Sequence, residues 1–186
     1  MHVSLSTSRL VLREMVEDDW RALYAWESRP DHVLYVPYEA LTEQRAREYV
    51  QGIVVEARQV PRTVFDLAIT ERGGDGTMIG RVGLRRKADE LRMGMLWWSM
   101  NPSHRGQGYI HEAAAALIEH AFTELSLHRV YAEIDPRNTA SVRVAERLGL
   151  RREAHMIDDI WIKGEWCSTY LYAQLAREWW DAGRPN

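Results

Sequence analysis

The sequence predicts one α+β domain, and three observations lead to this fold class. A chain of 186 residues, of which 46% are hydrophobic and 27% charged, is long enough to bury a core and fits a single domain. Helical periodicity marks the first third of the chain and the stretch after Gly108, whereas the middle alternates as β-strands do. No low-complexity linker or internal repeat divides the chain, so we expect residues 1–186 to form one domain.

The first third of the chain predicts a short strand followed by two helices. Residues 9–14 alternate sufficiently to indicate the strand. Asp19 precedes an amphipathic stretch over residues 20–26, and an acidic residue favours the positive end of a helix. After an irregular segment bracketed by prolines, Thr42 opens the second helix.

The middle of the chain predicts an antiparallel meander of three strands. Residues 63–70 are rich in β-branched and apolar side chains, and a glycine-rich turn follows at 73–76. Residues 77–84 and 91–100 give the second and third strands. Such short connections join antiparallel neighbours in a sheet.

A long helix and a strand come next. Apolar residues between 110 and 125 recur at helical spacing and build one wide stripe. Residues 128–135 alternate as a strand, with Val130, Ala132 and Ile134 on one face and Tyr131, Glu133 and Asp135 on the other. A strand–helix–strand crossover of this kind is right-handed and places two strands in parallel.

The end of the chain predicts a short helix and a hairpin. Asn138 is a good N-cap, and Gly149 fits the position just after the helix. A strand near residues 151–157, a tight turn at 163–164 and a last strand through 170–172 follow.

Composition and charge exclude several functional classes. The formal charge of −3 and the isoelectric point near 6.2 give no basic surface for nucleic acid or an anionic membrane. The single cysteine, Cys167, forms neither an internal disulfide nor a cysteine zinc site, and the histidines lack metal-ligand spacing. No leader-like or membrane-spanning stretch stands out, so we expect a cytoplasmic protein with no metal, either a monomer or a homodimer.

The most informative stretch is the glycine-containing loop that leads into the long helix. Gly106 and Gly108 permit a tight turn, and the first amides of a helix have no carbonyl partners. Together with Arg105 and the helix dipole, these amides predict a site for a phosphate-bearing ligand. A loop that merely turns a corner explains the glycines equally well. The loop lacks the Gly-Lys-Ser/Thr of a nucleotide P-loop, and His111 stands where the dinucleotide fingerprint needs glycine or alanine.

A second stretch downstream carries a family resemblance. The combination of Arg105-Gly-Gln-Gly108 with Asn138-x-x-Ser141 and an Arg-Leu-Gly-Leu run ending at Leu150 resembles the GNAT superfamily of acyl-CoA-dependent N-acyltransferases. The similarity is closest to the Rim-type branch, which acetylates the α-amino groups of ribosomal proteins. It implies a mixed, mostly antiparallel sheet that is splayed between two central strands and has helices on both faces.

The resemblance also implies which residues bind acetyl-CoA. The pyrophosphate loop corresponds to Arg105, Gly106, Gln107, Gly108, Tyr109 and Ile110. Ile110 departs from the family pattern, which has glycine or alanine there. The strand before the loop pairs with the pantetheine arm in family members, near Trp98 and Met100, and Asn138 matches an asparagine that contacts the CoA arm.

The catalytic residues implied by the resemblance are Glu133 and Ser141. An amine nucleophile must lose a proton to a base, directly or through water, and Glu133 matches a base position of some N-terminal acetyltransferases. An exposed strand glutamate is the alternative. The usual acid of the family is a tyrosine, whose place is taken by Ala145, and Ser141 matches the serine that the Rim-type branch uses instead. Helix capping is the alternative role of Ser141.

The resemblance assigns the acceptor site to the irregular segment between the first two helices, where Tyr35 and Tyr38 lie. We therefore expect an enzyme that transfers acetyl from acetyl-CoA to a primary amine, with a protein N-terminal α-amine as the leading acceptor. An antibiotic- or polyamine-modifying acetyltransferase is one alternative. A non-catalytic acyl-CoA sensor is the other, because the family tyrosine is missing.

Overall fold

The computed structural model describes residues 2–87 and 92–183. Within them the elements are β1 (Ser4–Ser6), β2 (Leu10–Glu14), α1 (Trp20–Glu27), α2 (Glu43–Glu56), β3 (Val64–Glu71), β4 (Gly80–Arg86), β5 (Met93–Met100), α3 (Tyr109–Thr123), β6 (Arg129–Ile134), α4 (Thr139–Arg147), β7 (Arg151–Ile162), β8 (Glu165–Leu175) and α5 (Ala176–Asp181). The order is the predicted one, with β1 added at the start and α5 at the end. Leu91, the first residue of the predicted third strand, and residues 184–186 lie outside the described part of the chain.

Two strand boundaries differ from the predictions for local reasons. β4 begins at Gly80 and not at Thr77, because the Thr77 amide donates to Asp75 Oδ1 at 2.9 Å and closes a turn. β7 continues past residue 157 to Ile162, after two register shifts against β8. One shift contains Asp158, whose φ of 48° is left-handed. Bulges of this kind interrupt the alternation of side chains, so the continuation of the strand could not be predicted from the sequence pattern.

The strands form one mixed sheet in the order β1-β2-β3-β4-β5-β6-β8-β7. Every neighbouring pair is antiparallel except β5 and β6, which are parallel. The parallel pair is joined by α3, as the predicted crossover requires. No helix in residues 2–87 and 92–183 is long and apolar enough to cross a membrane.

Helices cover both faces of the sheet, and the alternation of β3 shows how. Val64 and Ala68 on one face pack with α1 and α2, around Leu23, Trp26 and Val50. Phe65, Leu67 and Ile69 on the other face pack in a larger core with the apolar stripe of α3. Because both faces of β3 are covered, residues 64–69 are apolar on both faces apart from Asp66.

The sheet opens between β5 and β6. Their parallel ladder covers only residues 93–95 of β5 and 129–131 of β6, and the two strands diverge beyond it. On its other edge β5 remains paired with β4 over residues 94–100. The predicted splay between two central strands is therefore present, and it exposes a strand edge in the middle of the sheet.

Candidate active site

The loop between β5 and α3 presents open backbone amides. Gly106 and Gly108 both have φ of 79°, a left-handed conformation that favours glycine. Gly108 is the N-cap of α3 and has no side chain to cap it, and the first helical hydrogen bond runs from the Glu112 amide to the Gly108 carbonyl at 3.1 Å. The amides of residues 109–111 precede that bond, so they and the helix dipole favour an anionic ligand.

Arg9, which immediately precedes β2, contacts this loop and the first turn of α3. Its guanidinium donates to the Gln107 carbonyl at 2.9 Å and to the Glu112 carboxylate at 2.7 Å. Glu112 also accepts from the hydroxyl of Thr7 at 2.6 Å and from that of Ser8 at 3.0 Å. Burial alone would raise the pKa of Glu112, but the hydrogen bonds from Thr7 and Arg9 outweigh it and lower the pKa to about 2. A charged clamp therefore fixes the start of α3.

Three of the residues implied by the family resemblance meet at the sheet opening. The Trp98 indole N–H donates to Ser141 Oγ at 3.2 Å, across the gap from β5 to α4. Asn138 Oδ1 accepts from the Ser141 amide at 3.1 Å, so Asn138 is an N-cap and Ser141 lies in the first helical turn. The side chain of Met100 packs in the core, which leaves its backbone for a ligand. Ala145, at the place of the family tyrosine, is fully buried.

A cavity of about 770 Å³ opens beside this gap, and Trp98 lines it. It lies between the segment joining α1 to α2, the diverging strands β5 and β6, and the β7–β8 hairpin. Tyr35 and Tyr38, which the resemblance assigns to the acceptor site, are in its wall. Its lining is largely apolar or aromatic and includes Leu23, Val36, Pro37, Leu41, Tyr49, Met95, Leu96, Trp97, Ile160 and Ile162.

Glu133 contributes a carboxylate to the cavity wall. It is exposed, and its neighbours Ala132 and Ile134 are buried in the core on the opposite face of β6. Two residues further on, Asp135 is held by Arg137 at 2.7 Å. Among residues 2–87 and 92–183, by contrast, no side chain forms an ion pair with Glu133 within 4.0 Å. This carboxylate is thus available to an incoming cation.

A buried polar cluster beneath the cavity is absent from the sequence predictions. Arg81 donates to Asp66 Oδ2 at 2.9 Å and also to the Tyr49 hydroxyl, and it lies 3.5 Å from Glu27 Oε1. Burial raises the pKa of Asp66 and of the Tyr38 and Tyr49 hydroxyls. The signal was in the sequence, since Asp66 interrupts the apolar run of β3 and Arg81 interrupts the apolar stretch over residues 78–84, and charged residues are rarely buried unless paired.

The potential metal ligands among the described residues are dispersed. In residues 2–87 and 92–183, no group of three or more histidine, cysteine, aspartate or glutamate side chains is placed to hold a metal ion. Cys167 is buried, and Arg137 donates to its sulfur at 3.1 Å. Near the gap, the described residues present the Ser141 hydroxyl, the Glu133 carboxylate and the amides of residues 109–111.

Comparison with known proteins identifies the family. Residues 9–151 match the acetyltransferase (GNAT) domain, which is more than half of the chain. The chain therefore belongs to the GNAT family, and it is an N-acetyltransferase. The phosphate loop, the splayed strands and the adjoining cavity described above all lie within or beside the matched region.

Individual relatives extend the similarity over almost the whole chain. The uncharacterized N-acetyltransferase YnaD of Bacillus subtilis (strain 168) is 32% identical over 180 residues, which cover 96% of this chain and 99% of YnaD. RimL, a ribosomal L7/L12 alpha-N-protein acetyltransferase solved in complex with coenzyme A, superposes with a TM-score of 0.82 at 18% identity, covering 95% of this chain and 99% of RimL. Spermidine N-acetyltransferase from Vibrio cholerae, in complex with CoA and spermine, gives 0.80 at 19% identity, covering 94% of this chain and 99% of the other. At these identities the two structures show the shared fold.

Proposed function

We propose that this acetyltransferase moves acetyl from acetyl-CoA to a primary amine, and that the α-amine of a protein or peptide N-terminus is its preferred acceptor. The observation that carries the proposal is the contact between Trp98 and Ser141. The contact lies at the open edge of β5, close to the wall of the acceptor cavity. The same strand leads into the loop at residues 105–110. A thioester held at this point faces both the hydroxyl and the cavity.

The loop and the strand edge suit the two parts of CoA. The amides of residues 109–111 and the side chain of Arg105 take the pyrophosphate, because they combine hydrogen-bond donors with positive charge. The pantetheine arm carries amide groups, and these extend the sheet along the free edge of β5 near Trp98 and Met100. Asn138 caps α4 where the arm passes.

Glu133 and Ser141 divide the proton transfers between them. Glu133 accepts a proton from the ammonium group, directly or through water, and the freed amine attacks the thioester carbonyl. The C–N bond forms, the C–S bond breaks and the electron pair stays on sulfur. Ser141 accepts the Trp98 indole N–H, so its own hydroxyl proton is available to the departing thiolate. The second proton that the attacking nitrogen loses as the amide forms then restores the hydroxyl. No tyrosine at position 145 is needed for this step.

The cavity wall favours a peptide-like acceptor over a polyamine. Its apolar and aromatic lining suits an amine attached to an uncharged side chain, and Glu133 supplies a carboxylate for one ammonium group. Spermidine carries further positive charges, which Arg45 and Arg85 in the cavity lining would repel. Of the other carboxylates in the lining, Asp135 is already paired with Arg137, so Glu48 is left to attract those charges. The likeness to RimL agrees with an α-amine acceptor, and the likeness to spermidine N-acetyltransferase makes the polyamine the second candidate.

The test is CoA-thiol release from acetyl-CoA in the presence of separate acceptors. The panel contains dipeptide amides that differ in the first residue, spermidine and an aminoglycoside. We expect the highest kcat/KM for a dipeptide amide whose first side chain is small or apolar. A higher value for spermidine or the aminoglycoside would contradict the peptide proposal and support a small-molecule enzyme. If no amine accelerates thiol release while CoA still binds, the protein is an acyl-CoA sensor.

A further inference from the structure

A chain of hydrogen bonds begins at the wall of the acceptor cavity and is not used by the chemistry above. The Tyr38 hydroxyl donates to Glu27 Oε2 at 2.9 Å. Glu27, at the end of α1, is 1% exposed, and its other oxygen accepts from Ser99 Oγ at 2.8 Å. Ser99 lies on β5, directly after the Trp98 that contacts Ser141. The chain thus passes from the cavity wall into the central strand.

His32 continues the chain to the phosphate loop. Its Nε2 lies 2.9 Å from Ser99 Oγ, and its Nδ1 lies 2.6 Å from a guanidinium nitrogen of Arg105. A guanidinium only donates, so Nδ1 must accept and Nε2 must carry the ring proton. His32 then donates to Ser99, whose hydroxyl is left to donate to Glu27. Burial and the charge of Arg105 lower the pKa of His32 and outweigh the charge of Glu27, whose Oε1 lies 3.9 Å from Nε2 and which raises that pKa, so this neutral form is favoured.

Each bond in the chain therefore has one donor and one acceptor, and the two ends belong to different sites. Arg105 opens the phosphate loop, and Tyr38 belongs to the segment that joins α1 to α2 and forms one wall of the cavity. The His32 side chain is only 6% exposed. The middle of the network, at His32 and Glu27, is buried, whereas Arg105 and Tyr38 at its two ends are exposed. Hydrogen bonds with a buried middle restrain the groups that take part in them.

We propose that His32 is a positioning residue, and that the chain Arg105–His32–Ser99–Glu27–Tyr38 transmits the fixing of the phosphate loop by CoA to the wall of the acceptor cavity. The inference rests on the proposed function, because it needs CoA at the loop. The proposal is that the CoA loop and the cavity wall are coupled through one contiguous network. Such a coupling has to be measured directly. CoA bound at the loop is expected to order the α1–α2 segment.

The measurement is hydrogen exchange with and without CoA, followed in peptides that cover residues 29–41. In the wild type we expect CoA to slow exchange of this segment by about threefold or more, since ordering lowers local opening. Ser99→Ala removes the hydroxyl in the middle of the hydrogen-bond chain and should abolish the CoA-dependent slowing of exchange in residues 29–41. The loop at residues 105–110 should still be protected by CoA. Ser28→Ala, on the same segment but outside the chain, is the matched control and should retain the effect.

Two variants of His32 test its hydrogen bonds to Arg105 and to Ser99 separately. In His32→Asn the amide oxygen replaces Nδ1, so the bond to Arg105 is kept and the bond to Ser99 is lost. In His32→Gln the amide nitrogen replaces Nε2, so the bond to Ser99 is kept and the bond to Arg105 is lost. We expect calorimetry to give near-normal CoA affinity for the asparagine variant and about fivefold weaker binding for the glutamine variant. Both variants should lose the CoA-dependent protection of residues 29–41.

Two results would overturn the proposal. One is protection that persists in His32→Asn, which would leave His32 with a local role at Arg105. The other is the absence of protection in the wild type at saturating CoA. If Ser99→Ala fails to fold, judged by near-UV circular dichroism, the two His32 variants decide the question. A wild type that does not bind CoA at all would contradict the proposed function itself, and the two failures are thereby distinguished.

Discussion

Ser141 is the residue whose surroundings make the sharpest prediction. The indole of Trp98 donates to its oxygen, which leaves the hydroxyl proton to stabilise a sulfur that gains negative charge. Such an interaction is stronger in the transition state than in the ground state. Ser141→Ala should therefore lower kcat by about 100-fold in steady-state thiol release, with the KM for acetyl-CoA nearly unchanged.

The control for Ser141 uses its partner. Trp98→Phe keeps an aromatic ring in the gap but removes the donor, so it should reduce kcat less than the loss of the hydroxyl does. Alanine is a good helix former, and the melting temperature of Ser141→Ala should stay close to that of the wild type. A fall in melting temperature with a matching loss of CoA affinity would mean that Ser141 only supports α4.

Glu133 gives a second prediction, which depends on pH. Glu133→Gln keeps the shape of the side chain and removes the base, so kcat should fall by about 10²- to 10⁴-fold at pH 7. The deficit should shrink as the pH rises towards about 9, because a free α-amine has a pKa of about 7.7–8.0 and loses its proton to solvent. A kcat within about twofold of the wild type across pH 6–9 would place Glu133 outside the chemistry.

In the proposed function, the loop at residues 105–110 binds the pyrophosphate mainly through its backbone amides. We expect Gly108→Glu to weaken CoA binding, measured by calorimetry, at least about tenfold more than Gly108→Asn does, since it adds a negative charge at the start of α3, where the pyrophosphate is proposed to bind. Asparagine tolerates the left-handed φ of 79° and is the matched neutral control. Equal affinities for CoA in the two variants would place the pyrophosphate elsewhere.

The elements were largely predictable from the sequence because their periodicity is strong. The apolar stripe of α3, the alternation of β6 and the Asn138 cap all predicted their elements within a few residues. β1 spans only three residues, Ser4–Ser6, and carries too little alternation to be detected. α5, with six residues, is similarly short.

The site was predictable only where backbone geometry or the family pattern marks it. Gly106 and Gly108 predicted an anion site, since few residues other than glycine adopt their conformation. The chain through Glu27, His32 and Ser99 was missed, because its members lie on three separate segments and no local spacing relates them. Long-range side-chain contacts of this kind become visible only when the sheet is assembled.

At the scale of the whole molecule, Glu112 ties the N-terminal strands to the middle of the chain. Its pKa of about 2 lies below the ordinary value of 4.5, so the charged form is favoured by folding. This contribution is complete above pH 4.5 and is lost as the pH falls towards about 2. Glu112→Gln should lower the free energy of unfolding at pH 7 by about 2 kcal/mol, measured by urea denaturation.

The pH series makes that prediction specific. The difference in unfolding free energy between Glu112→Gln and the wild type should shrink steadily below pH 4.5. Glu119→Gln, on an exposed face of the same helix, is the matched control and should show little difference at any pH. A constant difference across the series would show that Glu112 contributes by packing and not by charge.

The early end of the β5–β6 ladder has a consequence for how this protein tolerates mutation. Beyond residues 95 and 131, the free edges offer N–H and C=O groups that every amino acid except proline supplies in full. A donor substrate recognised through such groups places little demand on the identity of the side chains around it. In the proposed function, in contrast, the acceptor is distinguished by the side chains of the cavity walls. Drift in sequence can therefore change which amine is modified while the acetyl donor stays the same.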